Sequence, residues 1–279
     1  MQQLEAATPF APLHIPASLS LIRSAQKAFP ALAQAACFDT TFHLTLPDVA
    51  RLLPVDRRLQ AEGIQRYGFH GLSCESIVEQ LGANLPPRMV IAHLGSGASV
   101  TALRQGQSID TSMGLTPSGG VMMGTRSGDL DPGLLTYLLR QQRFDVTELE
   151  HLIDHRSGLL GVSGIASDMR VLHRLAPRCP DARMAIAMFC MSVKKQIAGM
   201  TAVLGGLDLL VFTGGIGEHD AWVRDSICEG LVWLGAAVRV LPSQEEPAIA
   251  RHTAMLCQPI SSPLARSLPN GAACGPADD

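Results

Sequence analysis

The sequence predicts an α/β fold, on three observations. Segments rich in apolar and β-branched residues (MVIAHL, SVTAL, LDLLVFTGG, AVRVL) alternate with segments of helical periodicity. Two of the apolar segments, at 90–97 and 208–217, run into Gly-x-Gly turns. Helix-start signals, proline at a first helical position and an acid-bearing capping box, punctuate the gaps between them.

Taken in order, Pro16 opens a helix over 16–30 with Leu19, Leu21, Ile22 and Ala25 to one side. AQAACFD (33–39) reads as a buried strand ending in an acid, and 40–67, with Pro47 and Pro54, as irregular chain. A helix follows Ser73, with Ile77, Val78 and Leu81 inward. MVIAHL and SVTAL form a hairpin around the first glycine turn, and RQGQ (104–107) sends the chain into a third strand, SIDTS. Residues 113–133 are glycine-rich without periodicity, and a segment of that length inside a compact domain more often serves function than idles. Asp131-Pro132 starts a helix over 132–142, and Asp145 with Glu148 forms a capping box for the next. GLLGVSG (158–164) reads as a loop. The longest helix spans 181–204, apolar on most faces and therefore expected to be buried. LDLLVFTGG is an interior strand, followed by a helix over 219–234, a short strand AVRVL, and a loose tail after 266.

Composition bounds the function. Of 279 residues, 47% are hydrophobic and 17% charged, which suits a sizeable core, and the aromatic share of 4% leaves that core to aliphatic side chains. A net charge of −3 gives no footprint for nucleic acid. No basic block flanks an apolar helix and no run is long enough to span a membrane, so no membrane role is expected, and the amino terminus has no signal-peptide pattern. The seven cysteines form no C-x-x-C, which fits a reducing cytoplasm better than a disulfide framework or a zinc site.

The glycine turns carry the first chemical hint. Backbone N–H groups in such a turn converge on an anion because no Cβ blocks the approach, and a helix beginning just after it adds its positive end. HLGSGAS contains no Walker-type lysine. Each turn alone reads first as a tight bend without a ligand, whereas the pair brings in a polyphosphate or nucleotide spread over a cleft as an equal reading. Arg126, inside MGTRSGDLDP, is either paired with Asp129 or Asp131 or aimed at a transferring phosphoryl group. His70 in RYGFHG, taken alone, reads as a core histidine with one hydrogen-bonded nitrogen rather than as a catalyst. Asp39 is a turn residue or an acid at a strand end, where α/β folds concentrate their chemistry.

At this point the motifs resemble a known family. HLGSGAS, DTSMGLTPSGGVMMGTRSGDLDP, SGLLGVSG with SDMR, and GLDLLVFTGGIGEH are similar to acetate kinases, as are APLHIP (11–16), CFDTTFH and RYGFHG. The matches are collinear from about residue 9 to residue 253. The resemblance implies the acetate and sugar kinase/heat-shock ATPase/actin-like (ribonuclease H-like) two-domain fold, with the first domain incomplete. In that reading residues 1–42 are a remnant of the amino-terminal domain and 43–247 the nucleotide-binding carboxy-terminal domain. Residues 248–266 return to the first domain, and 267–279 are the tail. It further implies an ATP-dependent, Mg²⁺-requiring, cytoplasmic and homodimeric phosphotransferase that acts on acetate or another short-chain carboxylate. By position, Asp39, His70 and Arg126 match the catalytic residues. His93, Leu94, Gly95, Ser96 and Gly97 match the first ATP loop. Asp168, Met169 and Arg170 match the second, and Gly214, Gly215, Ile216, Gly217 and Glu218 the third. Glu245 matches the magnesium ligand, with Glu246 beside it.

The chain also departs from the family pattern. The family's opening Asn-x-Gly-Ser-Ser-Ser hairpin and its Arg-Val-Val-His-Gly-Gly stretch are not found. Ser96 stands for an asparagine, Ile15 for another, Leu72 and Cys74 for threonine and histidine, and Ser118-Gly119 for Leu-Glu. The segment between Gly235 and Leu241 is shorter. These departures predict exposed apolar faces and an unpaired sheet edge, and they leave open a second class: a remnant that binds nucleotide without turnover, beside a propionate or butyrate kinase relative.

Overall fold

A computed structural model describes residues 1–8 and 15–257. Four short elements precede the sheet region: α1 (Gln2–Ala6), α2 (Ile15–Ala28), α3 (Asp48–Arg51) and α4 (Arg57–Ala61). Then come α5 (Gly71–Leu81), β1 (Arg88–Leu94), β2 (Ala98–Arg104) and β3 (Gln107–Thr111). The glycine-rich segment leads into α6 (Pro132–Arg140), α7 (Val146–His155), α8 (Gly158–Ser163), α9 (Met169–Leu175) and α10 (Pro180–Leu204). The described chain closes with β4 (Leu209–Thr213), α11 (Gly214–His219), α12 (Ala221–Glu229), β5 (Ala237–Val240) and α13 (Glu245–Cys257).

The strands form one sheet in the order β3-β2-β1-β4-β5. β1, β2 and β3 are an antiparallel meander, whereas β4 runs parallel to β1 and β5 parallel to β4. The register sets His93 beside Thr213, so the two glycine turns leave the sheet at the same end of neighbouring strands. At the opposite end Arg88 and Asp208 exchange backbone bonds with each other's groups: Arg88 N–H donates to Asp208 Oδ2 (2.9 Å) and Asp208 N–H to the Arg88 carbonyl (3.0 Å).

Alternation along the strands builds two cores. Val90, Ala92 and Leu94 of β1 face α10, where Ile186, Phe189, Val193 and Ile197 are buried. Met89 and Ile91 face α5, where Cys74, Ile77 and Leu81 are buried with Leu209 and Val211 of β4. Each such large side chain contributes about 1.5–3 kcal/mol by leaving water. His93 continues the α5 face, the same face that carries Ser73 and Ser76 as buried polar residues.

Several expectations hold: the hairpin, the third strand, the irregular 113–133 segment, the Asp131 cap on α6 and the Asp145–Glu148 capping box on α7. Others need correction. Residues 33–39 form no strand and are mostly exposed, because among the described residues no neighbouring strand is available to pair them. GLLGVS is helical rather than a loop, packed against α10. The helix expected over 219–234 begins earlier, at Gly214, and breaks at Asp220, whose side chain caps α12 through Val223 N–H (3.0 Å). The 25-residue α10 is buried on one side only, and Met184, Met188 and Met191 are exposed on the other. The expected apolar exposure is present: Phe29, Leu32, Phe38, Leu44 and Val49 face solvent, and every residue of the edge strand β5 is exposed. Residues 11–14 of APLHIP, the 258–266 part of the returning segment, Cys274 and the tail 267–279 lie outside the described residues.

Candidate active site

The site begins with a sharp backbone turn. His70 adopts a left-handed conformation (φ 58, ψ 30) as the N-cap of α5. Such a conformation costs of order 1–3 kcal/mol for a residue with a Cβ and persists only when its surroundings fix it. Here Asp39 fixes it. Its Oδ2 accepts from His70 N–H (2.7 Å) and its Oδ1 from Leu72 N–H (3.1 Å), while Gly71 N–H donates to the Asp39 carbonyl (2.8 Å). Asp39 is therefore a clamp on the start of α5, and it ties that helix to the chain before residue 42.

The His70 ring pairs through Nδ1 with Ser99 Oγ (3.0 Å) and stacks on His93, with centroids 4.2 Å apart and planes inclined by 22°. Burial pushes the His93 pKa down to about 4, against smaller opposing effects of Asp39 and Glu218, so that ring is neutral at pH 7. His93 Nδ1 lies 2.8 Å from Ser73 Oγ.

Arg126 arrives from the glycine-rich segment. One guanidinium nitrogen donates to the Pro117 carbonyl (2.7 Å). Burial lowers its pKa from the ordinary guanidinium range, opposed by the charge of Asp154, and the group stays cationic at neutral pH. Arg126 and His70 meet at Gly97. A methyl group on that residue would lie 2.7 Å from Arg126 Nη2 and 3.1 Å from His70 Nε2. Glycine at 97 thus leaves the space into which a guanidinium and an imidazole both point. Neither Asp129 nor Asp131 takes up Arg126. Asp129 accepts from Gly120 N–H, and Asp131 from Gly133 N–H.

Next to Gly97 in the same turn, Gly95 and Ser96 line a cleft of about 1100 Å³. Gly95, Ser96, Gly215 and Ile216 form its floor, and Asp168, Met169 and Arg170 one wall. A methyl group on Gly95 would stand 3.9 Å from Gly215 N, so the two turns share one surface. Leu94, Gly214 and Gly217 are buried beneath it. Gly214 holds φ at +77 with the Leu94 carbonyl 2.8 Å from where a Cβ would sit. Glu218 points inward: Oε1 accepts from Gly214 N–H (2.9 Å) and Ser243 N–H (3.0 Å). Asp168 caps α9 through Arg170 N–H (2.8 Å) and pairs with the Arg170 guanidinium (2.7 Å), which holds its carboxyl down to about 2.

Sequence reasoning missed other lining groups. His173 bonds Asp220 (2.7 Å) and meets the edge of Trp222, and both rings border the cleft. It also missed the hydroxyls behind the histidines, Ser73, Ser99 and Ser243. The available signal was Ser73 and Ser76 on the inner face of a helix whose other inner residues are Ile77 and Leu81.

Glu245 opens α13 beside this network. Burial chiefly pushes its carboxyl pKa up, with Asp39 and Glu246 adding negative charge and a bond from Ser243 opposing. Among the described residues no three His, Cys, Asp or Glu side chains form a metal cage. Mg²⁺ commonly takes only one or two carboxylates and completes its shell with phosphate and water oxygens. A half-buried Glu245 facing the field of Asp39 fits that demand, because a cation relieves the repulsion between them.

Fold and site together define the class: an α/β protein of the acetate and sugar kinase, heat-shock ATPase and actin-like fold, with its cleft over the ends of two parallel strands. The chain belongs to the acetokinase family, whose model matches residues 1–254. It is similar to an acetate kinase of Rhodopseudomonas palustris (strain TIE-1), 47% identical over 241 residues that cover 85% of this chain and 60% of that protein. Among solved structures it is similar to Porphyromonas gingivalis acetate kinase (TM-score 0.83, 34% identity, 91% of this chain and 72% of that one). It is likewise similar to a propionate kinase from Francisella tularensis (TM-score 0.86, 37% identity, 90% and 71%). The chain thus spans 60% of the length of the first of these relatives.

Proposed function

We propose that the site transfers the γ-phosphoryl group of ATP to the carboxylate of acetate, giving acetyl phosphate and ADP. The observation that carries this reading is the meeting of Arg126 and His70 at Gly97, the residue next to Ser96 in a turn whose Gly95 and Ser96 line a cleft shared with the second glycine turn. Phosphoryl transfer to an ionised carboxylate requires no base. A bond forms between a carboxylate oxygen and the γ-phosphorus, the bond from phosphorus to the β–γ bridging oxygen breaks, and no proton moves. What the protein supplies is position and charge. The backbone of Gly95–Gly97 and Gly215 holds the phosphates, and Asp168–Arg170, Ile216, His219 and Trp222 border the space for the nucleoside. Arg126 and His70 face the equatorial oxygens, where charge is spread in the transition state. Asp39 keeps His70 in its left-handed turn. Glu245 holds Mg²⁺, which when bound neutralises phosphate charge. The proposal extends to a homodimer working in the cytoplasm.

The test is acetyl hydroxamate formation from ATP, Mg²⁺, acetate and hydroxylamine, with propionate as the competing acceptor. Product above the enzyme-free rate supports transfer, and the preferred acid sets the acyl chain. A second reading, nucleotide binding without turnover, is favoured by the exposed Phe29, Leu32, Phe38 and Leu44 in the stretch of sequence that carries Asp39. ATP bound with no hydroxamate formed would establish it.

A further inference from the structure

We propose that Ser73 and Ser243 form a directional hydroxyl relay through which a cation on Glu245 decides which ring nitrogen of His93 carries its proton. The inference rests on Glu245 as the cation carboxylate in the reading above. Four groups stand in line. His93 Nδ1 is 2.8 Å from Ser73 Oγ, Ser73 Oγ is 3.1 Å from Ser243 Oγ, and Ser243 Oγ is 3.1 Å from Glu245 Oε1. The line is anchored by backbone: Ser243 N–H donates to Glu218 Oε1, and Gln244 N–H to Ser76 Oγ (3.2 Å).

Each hydroxyl has one proton to donate, so the line has two self-consistent directions. With Glu245 bare, its carboxylate accepts the Ser243 hydrogen bond. Ser73 then donates to Ser243, and His93 donates from Nδ1–H to Ser73, which leaves Nε2 as a lone pair. With a cation on Glu245, the carboxylate no longer needs the Ser243 donor. Ser243 turns to Ser73, Ser73 donates to Nδ1, and the ring carries its proton on Nε2. The exchange is balanced: Nδ1 releases one proton to water, Nε2 takes one from water, and the hydroxyls only rotate. Because burial keeps His93 neutral, its tautomer is the variable that remains.

The direction matters because of where Nε2 points. It lies 3.2 Å from the place of a methyl group on Gly214 and 3.8 Å from one on Gly95, so it looks onto both glycine turns. A lone pair there repels a phosphate oxygen, and an N–H there donates to it. Cation loading at Glu245 would therefore prime the turns for the anion, making His93, Ser73 and Ser243 positioning residues.

The experiment is ¹⁵N-resolved imidazole NMR of the 279-residue chain, with the His93 signals assigned by their loss in His93→Gln. After EDTA treatment His93 is expected as Nδ1–H, and saturating Mg²⁺ should convert it to predominantly Nε2–H. In Ser243→Ala, in Ser73→Ala and in Glu245→Gln, each first shown to be folded by its amide spectrum, Mg²⁺ should leave the tautomer unmoved. A wild-type tautomer indifferent to Mg²⁺, or one that still switches in any of the three variants, overturns the relay. ATP binding and hydroxamate formation with an unmoved His93 would reject the relay alone. A switching His93 without hydroxamate would reject the transfer reading alone.

Discussion

The two glycine turns make an instructive pair. Both end a buried strand, both leave the sheet at the same end, and their strands are parallel neighbours. The first bends back as the tip of an antiparallel hairpin, and the second winds directly into α11. The consequence is a division of chemistry. The hairpin tip collects side chains from elsewhere in the chain: His70 from the start of α5, Arg126 from the glycine-rich segment, and His93 from its own strand. The helix start offers backbone and small residues, with its one carboxylate, Glu218, turned inward. One turn gathers charge and the other presents a surface. Changes at the hairpin should therefore be felt in turnover, and changes at the helix start in folding or nucleotide affinity.

The largest test of that division is Arg126→Ala. Turnover should fall by about a thousandfold, the scale of removing one transition-state contact, with ATP affinity by calorimetry little changed. Equal losses in both would move Arg126 to ground-state binding and erase the distinction.

Acidification comes next, and on the hairpin side it acts through His93. An unfolded histidine titrates near 6.5 and His93 in the folded chain near 4. Between those values the unfolded chain binds a proton that the folded one refuses. The His93 contribution to stability is therefore complete above pH 6.5 and is lost, by roughly 3 kcal/mol, as the pH falls to about 4. His43, whose pKa burial also lowers, acts in the same direction. Urea midpoints across that window measure the decline, and His93→Gln should flatten part of it. A profile identical to wild type would show that His93 is not the group responsible.

At the helix start the effects are smaller and of another kind. Gly214→Ala forces a Cβ onto a residue with φ +77 and to within 2.8 Å of the Leu94 carbonyl. About 2 kcal/mol of folding stability should be lost in denaturant unfolding. Gly215→Ala meets nothing within 4 Å. Its unfolding midpoint should match wild type, while a methyl on the cleft floor weakens ATP binding about tenfold, roughly 1.4 kcal/mol. A Gly215→Ala protein with unchanged ATP affinity would show that phosphate does not rest on the second turn.

Much of this arrangement was legible because it is local. Strand–glycine patterns at 90–97 and 208–217 carry their own turn chemistry, and Asp131-Pro132 and Asp145–Glu148 announce helices within a few residues. What escaped depends on partners distant in sequence. AQAACFD has the composition of a strand, but a strand needs a neighbour, and among the described residues none lies beside it. GLLGVSG has a loop's glycines, yet packing on α10 makes it helical. Ser243 reads as a polar residue after a proline, and only the fold brings it to Ser73, 170 positions away. Resemblance nominated the site residues, and the structure separates the cleft-facing Gly95, Ser96, Gly215 and Ile216 from the buried Leu94, Gly214 and Gly217.

The pairing of Arg88 with Asp208 has a further consequence. It lies five residues before His93 on one strand and five before Thr213 on the other, about 17 Å from the cleft at strand rise. Sliding β4 past β1 by a single residue would turn its side chains to the opposite face. This remote rivet therefore fixes the alignment of two loops it never touches, and the spacing between them is an inheritance from the far edge of the sheet.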